Sequence, residues 1–150
     1  MKTLVAYFSA QGTTAALARE LAAKTGADLF EIVPREPYSA ADITWTNPLA
    51  RCNREKIGRK DVPVAGTVAD WESYDRVYLG FPIWYYGAPN VVNTFCKGYN
   101  WQGKRVALFA TSGGSGIGRT VEKLRPYVAG GEIVKAEVIR DGKSLSDILL

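Results

Sequence analysis

Ser9-Ala10-Gln11-Gly12-Thr13-Thr14 follows the first apolar run of the chain and opens an alanine- and leucine-rich segment. A strand, a tight turn of small hydroxyl residues and a helix start together make an anion site. The first backbone N–H groups of a helix lack an internal acceptor, and the helix dipole is positive at that end. Hydroxyls on Ser9, Thr13 and Thr14 add donors, and Gly12 lets the backbone approach closely. The spacing is not that of a Walker A loop, because no Lys precedes the final Thr, and it is not GxGxxG. A ligand with a single terminal phosphate fits the turn better than a nucleoside triphosphate or a dinucleotide. An ordinary N-capped turn is the plainer alternative.

Two later loops are equally unusual. Gly80-Phe81-Pro82-Ile83-Trp84-Tyr85-Tyr86-Gly87-Ala88-Pro89 sets three aromatics in a row within a turn. Trp84, Tyr85 and Tyr86 can wall a flat ring, or pack on the protein's own surface. Gly87 gives the same turn freedom for a peptide rotation beside such a ring. Thr111-Ser112-Gly113-Gly114-Ser115-Gly116-Ile117-Gly118 leaves many backbone N–H groups free to meet ligand carbonyls. One loop for phosphate, one for ring stacking and one of backbone donors suit a planar heteroaromatic with a single phosphate. Flavin mononucleotide (FMN) is such a molecule.

The elements that must bring these loops together are legible. Short apolar runs recur at Leu4 to Phe8, Leu29 to Val33, Val77 to Phe81, Val106 to Ala110 and Ile133 to Ile139. The first, third and fourth are nearly continuous, as in strands buried on both faces of a parallel sheet. The last alternates with Lys135, Glu137 and Arg140, as an edge strand does. Helices are predicted over 13–25, stopped by Gly26; from Pro89, stopped by Gly98; and over about 118–128, kinked or ended by Pro126. Ser144 to Leu150 reads as one or two helical turns, and one helix is expected from about Asn47 to Gly58 in a proline-rich stretch. Alternating strands and helices predict an α/β, doubly wound, five-stranded parallel sheet. In such a sheet, loops at the carboxyl ends of the strands share one rim.

The whole chain sets bounds on these readings. Its 150 residues predict one domain spanning residues 1–150, and 47% apolar with 23% charged residues is an ordinary soluble mixture. No apolar run approaches the roughly 20 residues of a membrane span, and the apolar start reads as a buried strand rather than a signal peptide. Cys52 and Cys96 lie far apart without a CxxC, which suggests neither a disulfide framework nor a metal site and fits the cytoplasm. The chain has no histidine, so the usual general base and the commonest metal ligand are absent. No catalytic side chain is therefore assigned, and redox chemistry would come from the cofactor. The net charge of +4 is a modest excess. With no nucleic-acid-binding motif beside it, nucleic acid is not the expected partner.

The motifs Tyr7 to Thr14, Gly80 to Trp84 and Thr111 to Gly116 resemble, in order and across nearly the whole chain, those of the flavodoxin family, in particular its shorter variants. The resemblance implies a strand order of 2-1-3-4-5 and tight, non-covalent FMN. It implies that Ser9, Gln11, Gly12, Thr13 and Thr14 hold the phosphate. Pro82, Ile83, Trp84 and Tyr85 would line the isoalloxazine, with Tyr86 and Gly87 in the same turn. Thr111, Ser112, Gly113 and Gly114 would line its other edge, in the loop that ends at Gly118. Three departures stand out. Tyr85-Tyr86 replaces the Trp-Gly or Tyr-Gly frequent in relatives, the chain is basic where electron-carrier flavodoxins are acidic, and the C-terminal helix is short.

Arg51, Arg54, Lys56, Arg59 and Lys60 lie within ten residues, with only Glu55 opposing them. They form either a solvated helix face or a landing site for an acidic redox partner or the phosphate of NADPH. Trp45 and Trp71 flank this run and read as core or sheet cover. Two functions remain open: an electron-transfer protein that serves a redox partner, or an NAD(P)H-dependent reductase of quinones, nitro compounds or similar acceptors. Monomer and dimer both remain open.

Overall fold

The computed structural model describes residues 2–10, 12–36, 39, 43, 46, 49–52, 62–84, 87–112 and 116–150. Its centre is a five-stranded parallel sheet. The strands are β1 (Lys2–Tyr7), β2 (Asp28–Glu31), β5 (Tyr74–Pro82), β6 (Arg105–Thr111) and β7 (Glu132–Val138), in the spatial order β2-β1-β5-β6-β7. Numbered among themselves, the five sheet strands run 2-1-3-4-5, as the resemblance implies. The remaining two strands, β3 (Val33–Pro34) and β4 (Val64–Ala65), form a separate antiparallel ladder.

Strict alternation along the central strands divides the core into two faces. Leu4, Ala6, Val77, Leu79, Val106, Leu108 and Ala110 point to one side. They pack there with Val91, Val92, Phe95 and Cys96 of α2 (Asn90–Lys97), and with Trp71, Trp101 and Leu124. Val5, Tyr7, Tyr78, Ala107 and Phe109 point to the other side. Their partners are Ala15, Leu17, Ala18 and Leu21 of α1 (Thr13–Thr25), together with Leu145 and Ile148. Trp71 is 4% exposed and is core, as expected.

Three boundaries differ from the sequence reading. The run Leu29 to Val33 is not one strand: β2 ends at Glu31, and Ile32, whose N–H still donates to Tyr7 O of β1 at 2.6 Å, is the last residue bonded to the sheet. Val33 and Pro34 then pair with Val64 and Ala65, and a proline is tolerated in such a two-stranded ladder because no neighbour needs its missing N–H. The third helix starts late: Gly118 is left-handed at φ 53°, and α3 covers only Thr120–Leu124. A 3₁₀ turn, Arg125–Val128, follows it, since Pro126 cannot donate to the preceding turn. The tail is a 3₁₀ helix over Gly142–Ile148, capped by the Asp141 carboxylate accepting from Ser144 N. It covers one sheet face with fully buried Leu145 and Ile148. The helix expected from Asn47 to Gly58 lies largely outside the described residues, as do Trp45, Arg54, Lys56, Arg59 and Lys60; Arg51 and Cys52 are helical.

Candidate functional site

Parallel registration fixes where the loops begin. Tyr7 is opposite Gly80, and Pro82 is opposite Thr111, so β1, β5 and β6 end at a common rim. The three loops singled out in the sequence all leave from that rim.

The first turn has the features of an anion cradle. Gly12 caps α1 in a left-handed conformation (φ 92°), no side chain caps the helix, and no acidic residue lies in its first turn. The Ser9 hydroxyl accepts from Gly12 N at 3.0 Å, and the first amides of a helix have no acceptor within it. Gly12 and Thr13 are exposed, and Ser9 is half-buried. Thr14 is different. It is 2% exposed, and its hydroxyl lies 2.8 Å from that of Thr111, 97 residues away.

The second loop is held from both sides. Ile83 N donates to Thr111 O at 2.9 Å, tying the aromatic turn to the end of β6. Trp84 N donates to Gly87 O at 2.8 Å and Gly87 N returns a bond to Trp84 O at 3.2 Å, closing a four-residue turn. The half-buried Trp84 indole meets Phe8 edge to face, with centroids 5.8 Å apart and planes at 89°. A half-covered indole fixed by an edge-on neighbour is a ready stacking wall. Pro82 and Ile83 are half-buried beside it, and Gly87 is buried.

In the third loop Thr111 is buried and Ser112 is half-buried, while Gly118 is exposed just ahead of α3. Gln11, Tyr85, Tyr86, Gly113 and Gly114 lie outside the described residues. The structure therefore brings Ser9, Gly12, Thr13, Thr14, Pro82, Ile83, Trp84, Gly87, Thr111 and Ser112 to one rim. Gly118 stands at its margin.

Sequence reasoning missed part of the surroundings. A cleft beside the first turn is lined by Phe8, Ser9, Ala10, Glu31, Ile32, Val33 and Pro34. The end of β2 is a predictable neighbour of the rim, but the pairing of Val33 and Pro34 with a separate strand was not. Below the cleft, the Tyr7 hydroxyl donates to the Glu31 carboxylate at 3.4 Å. Burial, and then the Glu31 charge, hold that phenol above its ordinary range. Among the described residues no group of His, Cys, Asp or Glu could hold a metal.

A phosphate needs outward amides without competing carboxylates, and a flat ring needs an immobilised aromatic wall. The first turn of α1 has no acidic residue, Glu31 lines the cleft beside it, and hydrogen bonds through Thr111 join it to the Trp84 turn. The flavodoxin family model matches residues 2–148. A candidate flavoprotein of Bacteroides eggerthii has a crystal structure similar to this chain at a TM-score of 0.89, with 38% identity over 97% of this chain and 94% of its own. One from Bacteroides uniformis is 34% identical over 97% and 96%, at a TM-score of 0.90. A flavoprotein of Lactobacillus acidophilus, solved in complex with FMN, shares the fold at a TM-score of 0.75, with 22% identity over 98% and 97%. None of the curated proteins matches the chain.

Proposed function

The chain belongs to the flavodoxin family, and from that premise we propose that it binds FMN at the rim and transfers electrons between the flavin and a redox partner protein. The observation that carries this reading is the joining of the phosphate turn to both other loops through Thr111. The L. acidophilus relative in complex with FMN supports the same ligand.

In this reading the amides of the first turn and the Thr13 hydroxyl hold the phosphate, and the positive end of α1 stabilises its charge. Trp84 stacks on the ring system and keeps water from one face. Backbone N–H groups of the third loop hold the far edge of the ring. The bound flavin supplies one- and two-electron chemistry, and the protein tunes it by stacking and hydrogen bonds. Protons are exchanged with solvent, since the chain has no histidine to relay them. Two buried thiols, Cys52 and Cys96, suit a reducing cytoplasm.

Mixing FMN-loaded protein with NADPH in the absence of oxygen tests the electron-transfer reading. It predicts that the flavin absorption persists with NADPH and bleaches with a small-molecule reductant such as dithionite. Rapid bleaching by NADPH alone would instead establish an NAD(P)H-dependent reductase of quinones, nitro compounds or similar acceptors.

A further inference from the structure

Thr111 makes three connections. Its hydroxyl meets that of Thr14 at 2.8 Å, its carbonyl accepts from Ile83 N at 2.9 Å, and its own backbone leads into the third loop. All three walls of the site thus meet at one residue. Both threonines are nearly closed to water, at 2% and 7% exposure. Each hydroxyl carries one proton and two lone pairs. The bridge uses one of the pair's two protons, and either oxygen can be its donor. One proton is left over, and burial makes it costly to leave that proton without an acceptor.

We propose that the Thr14–Thr111 hydroxyl bridge is a positioning device that couples the phosphate turn to the ring-binding loops. A phosphate that accepts the remaining proton from Thr14 leaves Thr111 as donor of the bridge. The oxygen of Thr111 can then act only as acceptor towards the third loop. Occupation of the phosphate turn thereby sets the polarity of the bridge and fixes the loops that grip the ring. Thr111 accordingly controls how strongly the phosphate contributes to affinity, although it belongs to the ring side of the site. This inference rests on the FMN reading.

The test compares FMN with riboflavin, which lacks the phosphate, by titrating apoprotein and following quenching of flavin fluorescence. Wild type, T14V, T111V, T14V/T111V and T111S are measured. Valine keeps the shape of threonine and removes the hydroxyl. T14V, which loses the contact to phosphate, is expected to weaken FMN at least roughly tenfold, the value of one hydrogen bond to a charged group, and T111V, which loses only its alignment, by a smaller factor. Riboflavin affinity should change much less in both. The double variant should be no weaker than T14V alone, because T111V removes only the bond that T14V already lacks. T111S should restore the wild-type ratio of FMN to riboflavin affinity. A bond that only staples α1 to β6 would lower both affinities together. Equal loss for the two flavins in T111V, or additive losses in the double variant, would overturn the proposal. If T111V does not fold, T111A takes its place in the same comparison: a loss confined to FMN supports the bridge, and an equal loss for the two flavins rejects it. Wild type that binds neither flavin would overturn the FMN reading itself, a result distinct from all of these.

Discussion

Gly12 and Trp84 show how a single residue sets up the site. Gly12 lies at φ 92°, where an added Cβ meets no atom, so the only penalty for a side chain is conformational. Gly12→Ala should cost about 1–2 kcal/mol of stability through the left-handed backbone, and should loosen FMN as well. Thermal melting with and without FMN separates the two effects. Trp84 is held by Phe8 rather than by the ligand. Trp84→Ala should therefore leave the fold intact and weaken FMN by up to about tenfold, the value of one stacked ring. Fluorescence titration checks that figure. Residue types alone pointed to Ser9, Gly12, Thr13, Thr14 and Trp84 as candidates, because a hydroxyl turn before a helix and aromatics within a loop are local signals. The bond from Thr14 to Thr111 was not legible. The two partners lie 97 residues apart, and no spacing rule reports such a contact.

At the level of elements, close packing between β5 and β6 holds the rim in register. A Cβ at Gly80 would stand 2.1 Å from the Phe109 ring of the neighbouring strand. Gly80→Ala should thus force that ring aside and cost about 1–3 kcal/mol, seen as a lower denaturant midpoint at unchanged slope. At the opposite end of the sheet, the Tyr74 hydroxyl donates to Asp28 at 2.7 Å. Burial, and then that bond, push its pKa from 10.0 up to about 12. The unfolded phenol loses its proton first, so this contribution is complete below pH 10 and is lost as pH rises towards 12. Tyr74→Phe should lower stability at neutral pH and flatten the alkaline decline, which urea melts across that range will show. Strands β1, β5 and β6 were legible because burial on both faces leaves continuous apolar runs. The ladder of β3 and β4 was not, because two-residue strands containing Pro34 carry no period to read. The 3₁₀ tail was visible only as a short helical turn, since Leu145 and Ile148 alone mark its buried side.

For the whole molecule, parallel topology converts three separated motifs into one site. Once the strands run 2-1-3-4-5, their carboxyl ends are one rim, and the sequence order of the loops ceases to matter. That inference was available from pattern alone. The net charge is +4, and under the proposed electron-transfer role an acidic partner surface is the expected complement. No helix among the described residues is long and apolar enough to cross a membrane. Everything functional depends on the rim closing around a flat molecule with one phosphate. The most direct test is the absorption spectrum of purified protein mixed with excess FMN and then dialysed exhaustively. Retained flavin absorption, approaching one flavin per chain, is the predicted result. A colourless protein of intact fold would contradict the account.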